Sequence, residues 1–428
     1  MTRRKRPSLA CVYFLMAMGI LAFLVTNTVP KQNMYPEQVR QRRRRVVLMF
    51  PGDRYNFGDL LFEKVVRHLL ERSGYLPTEL ISTGVVSEDM SMYGGNNHIV
   101  SFKTACEMSK AEVSVGTGPF DLVNLGGEAM HCSKDCAVSM YRGNKRTEAQ
   151  DHPSTCGYLV AKRLLLPRDW GPGHAAHPVS SINSIGGRLD ANACGEALRT
   201  ADYASFRDNH FHQYPRQKVP FVLAPDCAVM VDMLFRDQIT SVVGQGEVAR
   251  ILDKSGGKYI AFQMKEDWPD HGHMAAVLQA IHATTGYMIV MFCAGTAPDH
   301  DSPAAYERLA AMIPDVPVHI FDTSNVWSVV ALVSRAHLVV STSLHVRIMA
   351  FIHLRPRITF CGEEKQRFFV SLFDSPGSTR CVDRGDRGPI AKVLQRAFEG
   401  NNGTAQAVQT CIQKYLANFD RWSSLLNH

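Results

Sequence analysis

Short apolar runs alternate with amphipathic stretches along most of this chain, and that alternation constrains its fold more than any other feature. Arg45-Val46-Val47-Leu48-Met49-Phe50 has the makeup of a buried strand. After a glycine-containing turn the pattern becomes helical from Gly58 to about Arg72, with Leu60, Leu61, Val65, Val66 and Leu69 on one stripe. Further strand patterns lie at Glu79 to Thr83, Phe120 to Leu125, Val179 to Ile185 and Phe221 to Ala224, with helical patterns at Cys156 to Leu165 and Ala193 to Ala204. A second series opens at Lys258 to Gln263. It continues through a helix at Met274 to Thr285, strands at Tyr287 to Phe292 and Val318 to Phe321, and a helix at Val326 to Arg335. Strands alternating with helices build parallel sheets, and residues 46–428 are too many for one core. The expected fold is therefore α/β, with two Rossmann-like doubly wound domains facing a cleft, over 46–235 and 236–398, and a tail over 399–428 that is helical from Ala405 to Leu426.

The apolar run Ala336 to Val340 is followed by Ser341-Thr342-Ser343-Leu344-His345-Val346-Arg347, which reads as a helix start. Amide groups at such a junction favour an anion, and a histidine beside them moves protons near neutral pH. The competing reading makes His345 a satisfied core histidine.

Arg3-Arg4-Lys5-Arg6 precedes an uncharged stretch from Leu9 to Val25, at the short end of what crosses a bilayer, with the charges left on the cytoplasmic side; a cleaved signal peptide is the rival reading. Residues 1–8 are thus expected as a cytoplasmic tail, 9–26 as a transmembrane signal-anchor and 27–45 as a stem. This is a single-pass type II arrangement with the bulk of the protein in the lumen. Ten of the 47 basic residues but only one of the 40 acidic ones precede Val46, so the excess of positive charge belongs to the tail and stem. The globular part is close to neutral, which argues against a nucleic-acid partner. Of the 11 cysteines, all but Cys11 are placed where disulfides can form, Cys132 with Cys136 among the possibilities. Their spacing does not suit zinc. Asn402-Gly403-Thr404 is a glycosylation sequon.

Loops after strands carry the remaining signals. Asn56-Phe57-Gly58-Asp59 opens the first helix, where Asp59 either caps it or accepts from a sugar hydroxyl. Gly126-Gly127-Glu128 presents backbone amides and a carboxylate. Ser205-Phe206-Arg207-Asp208 and Pro225-Asp226 end further segments, and Arg207 either pairs with an acid or clamps an oxyanion. Asp299-His300-Asp301 has the form of a metal-holding Asp-x-Asp but reads better as a solvated loop, so no metal is expected. His131, His174, His177, His210 and His212 lie near these loops.

Taken in order, Asn56-x-Gly58-Asp59-x-Leu61, Gly126-Gly127-Glu128, Ser205-x-Arg207-Asp208, Pro225-Asp226-x-Ala228 and Leu344-His345-x-x-x-x-Ala350 resemble the polysaccharide pyruvyl transferase family, over roughly Val46 to Phe398. The N-terminal anchor makes the chain similar to its Golgi-type galactoside pyruvyltransferases. The resemblance implies a GT-B-like fold, a Golgi membrane location, and transfer of a pyruvyl group from phosphoenolpyruvate to a glycan or polysaccharide sugar, making a cyclic ketal. Phosphoenolpyruvate is then a co-substrate, and no cofactor is implied. It casts His345 as general acid and Arg207 as a donor ligand; Ser343, Leu344, Arg347 and Lys365 are further donor-site candidates, and Asn56, Asp59, Gly127 and Glu128 candidate acceptor ligands. The family's arginine before Leu-His is Ser343 here, and Arg347, four residues on, is expected to bring a guanidinium to nearly the same point. Two alternatives share the architecture: a GT-B-type Golgi glycosyltransferase using a nucleotide sugar, and a non-catalytic glycan-binding relative.

Overall fold

The structure, a computed structural model, describes residues 43–129, 132–170, 177–187, 191–210, 221–298, 300–375, 381–383, 390–400 and 403–427. The expected tail and anchor, the stem up to residue 42, the sequon's Asn402, and His131, His174, His212 and Asp299 lie outside the described residues. Among the described residues no helix is long and apolar enough to cross a membrane. Residues 43–428 form one compact unit that takes in the last three stem positions. Arg44 pairs with Asp121 at 3.3 Å, Arg45 with Glu112 at 3.2 Å, and the Arg43 guanidinium lies 4.9 Å from the Tyr75 ring centroid.

Two parallel sheets organise this unit. Strands β1 (Val46–Met49), β2 (Leu80–Gly84), β3 (Val100–Ser101), β4 (Asp121–Leu125), β5 (Ser180–Ile185), β6 (Tyr203–Phe206) and β7 (Val222–Leu223) form the first, in the order β3-β2-β1-β4-β5-β6-β7. Strands β8 (Tyr259–Gln263), β9 (Met288–Phe292), β10 (Val318–Phe321), β11 (Leu338–Ser341) and β12 (Arg357–Thr359) form the second, in the order β10-β9-β8-β11-β12. Every pairing is parallel. Strands β1, β4, β8 and β9 are buried along their whole length, as strands covered by helices on both faces must be. Strand order reverses between β1 and β4 in the first sheet and between β8 and β11 in the second. At such a switch point neighbouring loops part to opposite faces and leave a crevice beyond the strands' carboxyl ends.

Five helices carry the functional argument: α1 (Phe57–Arg72), α2 (Lys134–Ser139), α3 (Leu344–Ile352), α4 (Glu364–Leu372) and α5 (Thr404–Ser423). Helix α1 starts where Asn56 turns extended and its Oδ1 accepts from the amides of Gly58 and Asp59, and the stripe read from sequence is buried. The two halves are stitched beside it. Phe57 N donates to Ala294 O at 2.7 Å, Thr296 N donates to Tyr55 O at 3.1 Å, and Asn56 bridges to Gly295. Helix α5 returns to the first sheet, where Asn183 Nδ2 donates to Tyr415 Oη at 2.9 Å and Tyr203 Oη donates to Asn418 Oδ1 at 2.9 Å. The helix Val231–Val243 runs across the expected 235/236 boundary, with a kink at Phe235.

Two sequence readings are corrected. The helix expected at Cys156 to Leu165 is irregular apart from a short 3-10 turn at Lys162–Leu165, because Cys156 is tied by a disulfide to Cys194 and bridges Ser133. The helix expected at Ala193 to Ala204 occupies Ala191–Thr200, and its expected end, from Tyr203, is strand β6.

Candidate active site

The loops that leave the two switch points meet around a cavity of about 290 Å³. The β1 end contributes Arg54, Asn56 and Asp59, the β4 end Gly127 and Glu128, the β8 end Gln263 and Lys265, and the β11 end Thr342, Ser343, Leu344 and His345. Arg207, His300, Asp301, Glu363 and Lys365 complete the wall, with Cys132 and Cys136 beside Tyr158. The loops singled out from sequence therefore share one space.

His345 sits in the first turn of α3. Ser343 is the N-cap of that helix, its hydroxyl accepting from Val346 N at 3.5 Å, which leaves the first-turn amides of Leu344 and His345 without intrahelical acceptors. The imidazole is wedged against the backbone of Gly58 and the edge of Phe62, whose ring centroid is 5.2 Å away. Its Nε2 lies 3.5 Å from Asp226 Oδ2 and 3.4 Å from Arg207 Nη1, and Arg207 Nη1 itself donates to Asp226 Oδ2 at 2.5 Å. Burial alone would raise the Asp226 pKa. The hydrogen bond from His345 and the charge of Arg207 outweigh it and hold the carboxyl at about 2. Asp226 is therefore an ionised anchor that orients both His345 and Arg207.

A chain of alternating charges crosses the cleft. Lys265 Nζ contacts Glu363 Oε1 at 3.1 Å, Lys365 Nζ contacts Glu363 Oε2 at 2.5 Å, and Lys365 Nζ reaches Glu128 Oε2 in the other half at 2.7 Å. Burial would raise the Glu363 pKa, but the two lysines hold it down at about 2. Opposite, Arg54 bonds to the Tyr158 hydroxyl and lies 3.6 Å from Asp59 Oδ2. Asp301 is buried, accepting from Ala294 N at 2.6 Å and Gln263 Nε2 at 2.8 Å, and burial pushes its carboxyl up to about 7. Asn56 is occupied as the α1 cap and by a 3.2 Å contact between its Nδ2 and His300 Nε2.

One expected donor ligand is elsewhere. Arg347 has no solvent exposure. Its Nε and Nη2 donate to Asp374 Oδ2 at 3.0 and 2.7 Å, and its Nη1 donates to Thr359 Oγ1 at 2.9 Å. The i, i+4 argument fails because Ser343 is an extended cap residue (φ −98°, ψ 136°), so helical periodicity does not carry from it to Arg347. Ser343, Leu344, Arg207 and Lys365 do line the cavity, as do Asn56, Asp59, Gly127 and Glu128. Arg54, Gln263, Lys265, His300 and Glu363 were missed as site residues, although Gln263 ends β8 and the others follow strands at the sheets' carboxyl edges. Among the described residues no group of three or more His, Cys, Asp or Glu is placed to hold a metal ion.

Two doubly wound sheets with apposed switch points define the GT-B-like class of two-domain α/β proteins. No protein-family model and no curated protein sequence matches the chain. Solved structures do. The UDP-GlcNAc 2-epimerase from Methanocaldococcus jannaschii matches with a TM-score of 0.52 and 12% identity, over 84% of this chain and 92% of that one. Its complex with UDP-GlcNAc and UDP matches with a TM-score of 0.50 and 12% identity, over 84% and 93%. The Neisseria meningitidis UDP-GlcNAc 2-epimerase bound to UDP-GlcNAc matches with a TM-score of 0.50 and 10% identity, over 88% and 100%. At this identity the likeness establishes the fold.

The expected phosphoenolpyruvate-dependent, ketal-forming pyruvyltransferase is thereby corrected. The architecture matches enzymes of sugar nucleotides. The guanidinium expected to replace the missing donor-binding arginine is locked into the core by Asp374.

Proposed function

We propose that this protein is a GT-B-like enzyme that binds a nucleotide sugar in the cleft and breaks the bond between the sugar and its diphosphate. The observation that carries this reading is the convergence, at two apposed switch points, of a helix N-terminus with Lys265, Lys365 and Arg207 around a histidine braced by an ionised carboxylate. The α3 amides and the lysines suit a diphosphate, which departs as an anion and needs fixed positive charge as it leaves. Asp59 and Glu128 suit sugar hydroxyls, whose O–H groups donate to carboxylate oxygens. His345 moves the proton, and Asp226 keeps its ring in place. The matched structures that hold UDP-GlcNAc support the ligand class.

The disulfides Cys156–Cys194 and Cys361–Cys381 support an oxidising compartment, in keeping with a lumenal, Golgi-type setting. The reading is tested by incubating the protein with UDP- and GDP-sugars, with and without a pool of simple saccharides, and measuring release of the nucleoside diphosphate, with His345→Gln as control. Release from one of them that the variant loses is the expected outcome. No release, or release unchanged in the variant, contradicts it.

A further inference from the structure

A second cavity, of about 480 Å³, lies against the first and shares three residues with it, Glu128, Glu363 and Lys365. These three belong to the charge chain across the cleft, so the two cavities adjoin along that chain. The second compartment differs in character. It has neither the α3 N-terminus nor the arginines of the first, and it adds Asp208, His210 and Glu364. Asp208 is spent on the wall itself, accepting from Gly187 N at 2.9 Å and His210 N at 3.1 Å. His210 Nε2 faces Glu364 at 3.2 Å, and the His210 ring stands edge-on to Phe368 with centroids 4.7 Å apart. Gly187 and Gly362 leave parts of the wall without side chains.

We infer that this second cavity is the acceptor compartment of a two-substrate transferase and takes a neutral, hydroxyl-rich sugar. The inference rests on the nucleotide-sugar reading and extends it. Carboxylates repel a phosphate but accept hydrogen bonds from sugar hydroxyls, and the volume lies within the range of small-molecule sites. An enzyme that only rearranges its nucleotide sugar needs one compartment. A second one that adjoins the first along the ion-paired chain serves a second substrate. In the transfer, an acceptor hydroxyl oxygen bonds to the anomeric carbon while the bond from that carbon to the phosphate oxygen breaks. The nucleoside diphosphate leaves with the electron pair, and the hydroxyl proton passes to His345.

The test uses Glu364→Gln and His210→Ala, since neither residue lines the first cavity. Wild type and variants are incubated with UDP- and GDP-sugars and a pool of lactose, maltose and N-acetyllactosamine, and products are read by mass spectrometry. Nucleotide-sugar affinity is measured in parallel by calorimetry. The expected result is one added sugar on a pool member, with the acceptor KM raised about tenfold in each variant, as loss of a hydrogen bond of 1–2 kcal/mol implies, and nucleotide-sugar affinity unchanged. Wild type that binds and consumes a nucleotide sugar without lengthening any acceptor overturns this inference alone. So do variants whose acceptor KM is unchanged. Wild type that binds no nucleotide sugar overturns the functional reading and this inference with it.

Discussion

Gly58 packs so closely on His345 that a Cβ built on it would lie 1.9 Å from the imidazole Nδ1. One half of the protein thus fixes a side chain of the other half through the absence of an atom. Gly58→Ala should displace the ring from Asp226. In a helix alanine is favoured over glycine by about 1 kcal/mol, so the local term works in the opposite direction from the clash. Turnover is expected to fall at least about tenfold while melting changes little, because ring displacement misplaces the proton and leaves most of the core untouched. A melting curve beside a rate measurement checks it; an unchanged rate would show that the ring position does not matter.

Replacing the braced pair separates chemistry from binding. His345→Gln is expected to lower kcat by roughly 10²- to 10⁴-fold, the usual worth of a positioned acid or base, with nucleotide-sugar affinity within a few-fold of wild type. Asp226→Asn should lose rate as well and should shift the pH profile, since the ionised partner of His345 is gone. Equal losses in rate and affinity would recast His345 as a binding residue.

Stability should fall with rising pH through the weakly acidic range because of Asp301. Its carboxyl titrates near 4 when unfolded but is pushed up to about 7 by burial in the fold. Between those values the folded state holds a proton that the unfolded state has lost, so stability declines as pH rises from about 4 to about 7 and then levels. Asp226 acts with the opposite sign: held at about 2, it contributes stability above pH 4 that is lost as pH falls through about 2. Urea midpoints at pH 5 and pH 7.5 in wild type and Asp301→Asn test this. The variant should show the smaller difference between the two.

Arg347→Ala is expected to cost about 3 kcal/mol of stability, because it strips a buried carboxylate of one of its two guanidinium partners and leaves a cavity. Ligand affinity of the folded protein should not change. A large loss of affinity at unchanged melting temperature would return Arg347 to the donor site.

Much of this arrangement is legible in the sequence, for physical reasons. Strands buried on both faces, such as Val46 to Met49 and Tyr259 to Gln263, need continuous apolar runs, and the reversal of strand order puts the loops at 56–59, 126–128 and 343–345 in one crevice. Tyr203 to Phe206 is too short for a period to show, and it reads as the end of the helix before it. Arg54, Lys265 and Glu363 carry no motif, and His300 sits inside an Asp-x-Asp that reads as a solvated loop. Their role arises only when the two halves meet, as the contact between Asn56 and His300 shows. Arg347 misleads because a helix-face argument was extended through a cap residue.

Titration of the protein with UDP- and GDP-sugars by calorimetry, repeated with Lys265→Ala and Lys365→Ala, tests the central claim most directly. Both lysines line the cavity together with the α3 N-terminus. The account predicts saturable one-to-one binding of at least one nucleotide sugar, weakened about tenfold or more in each variant, as loss of a charge-assisted bond implies. Absence of binding by every nucleotide sugar, or binding indifferent to both lysines, would contradict it.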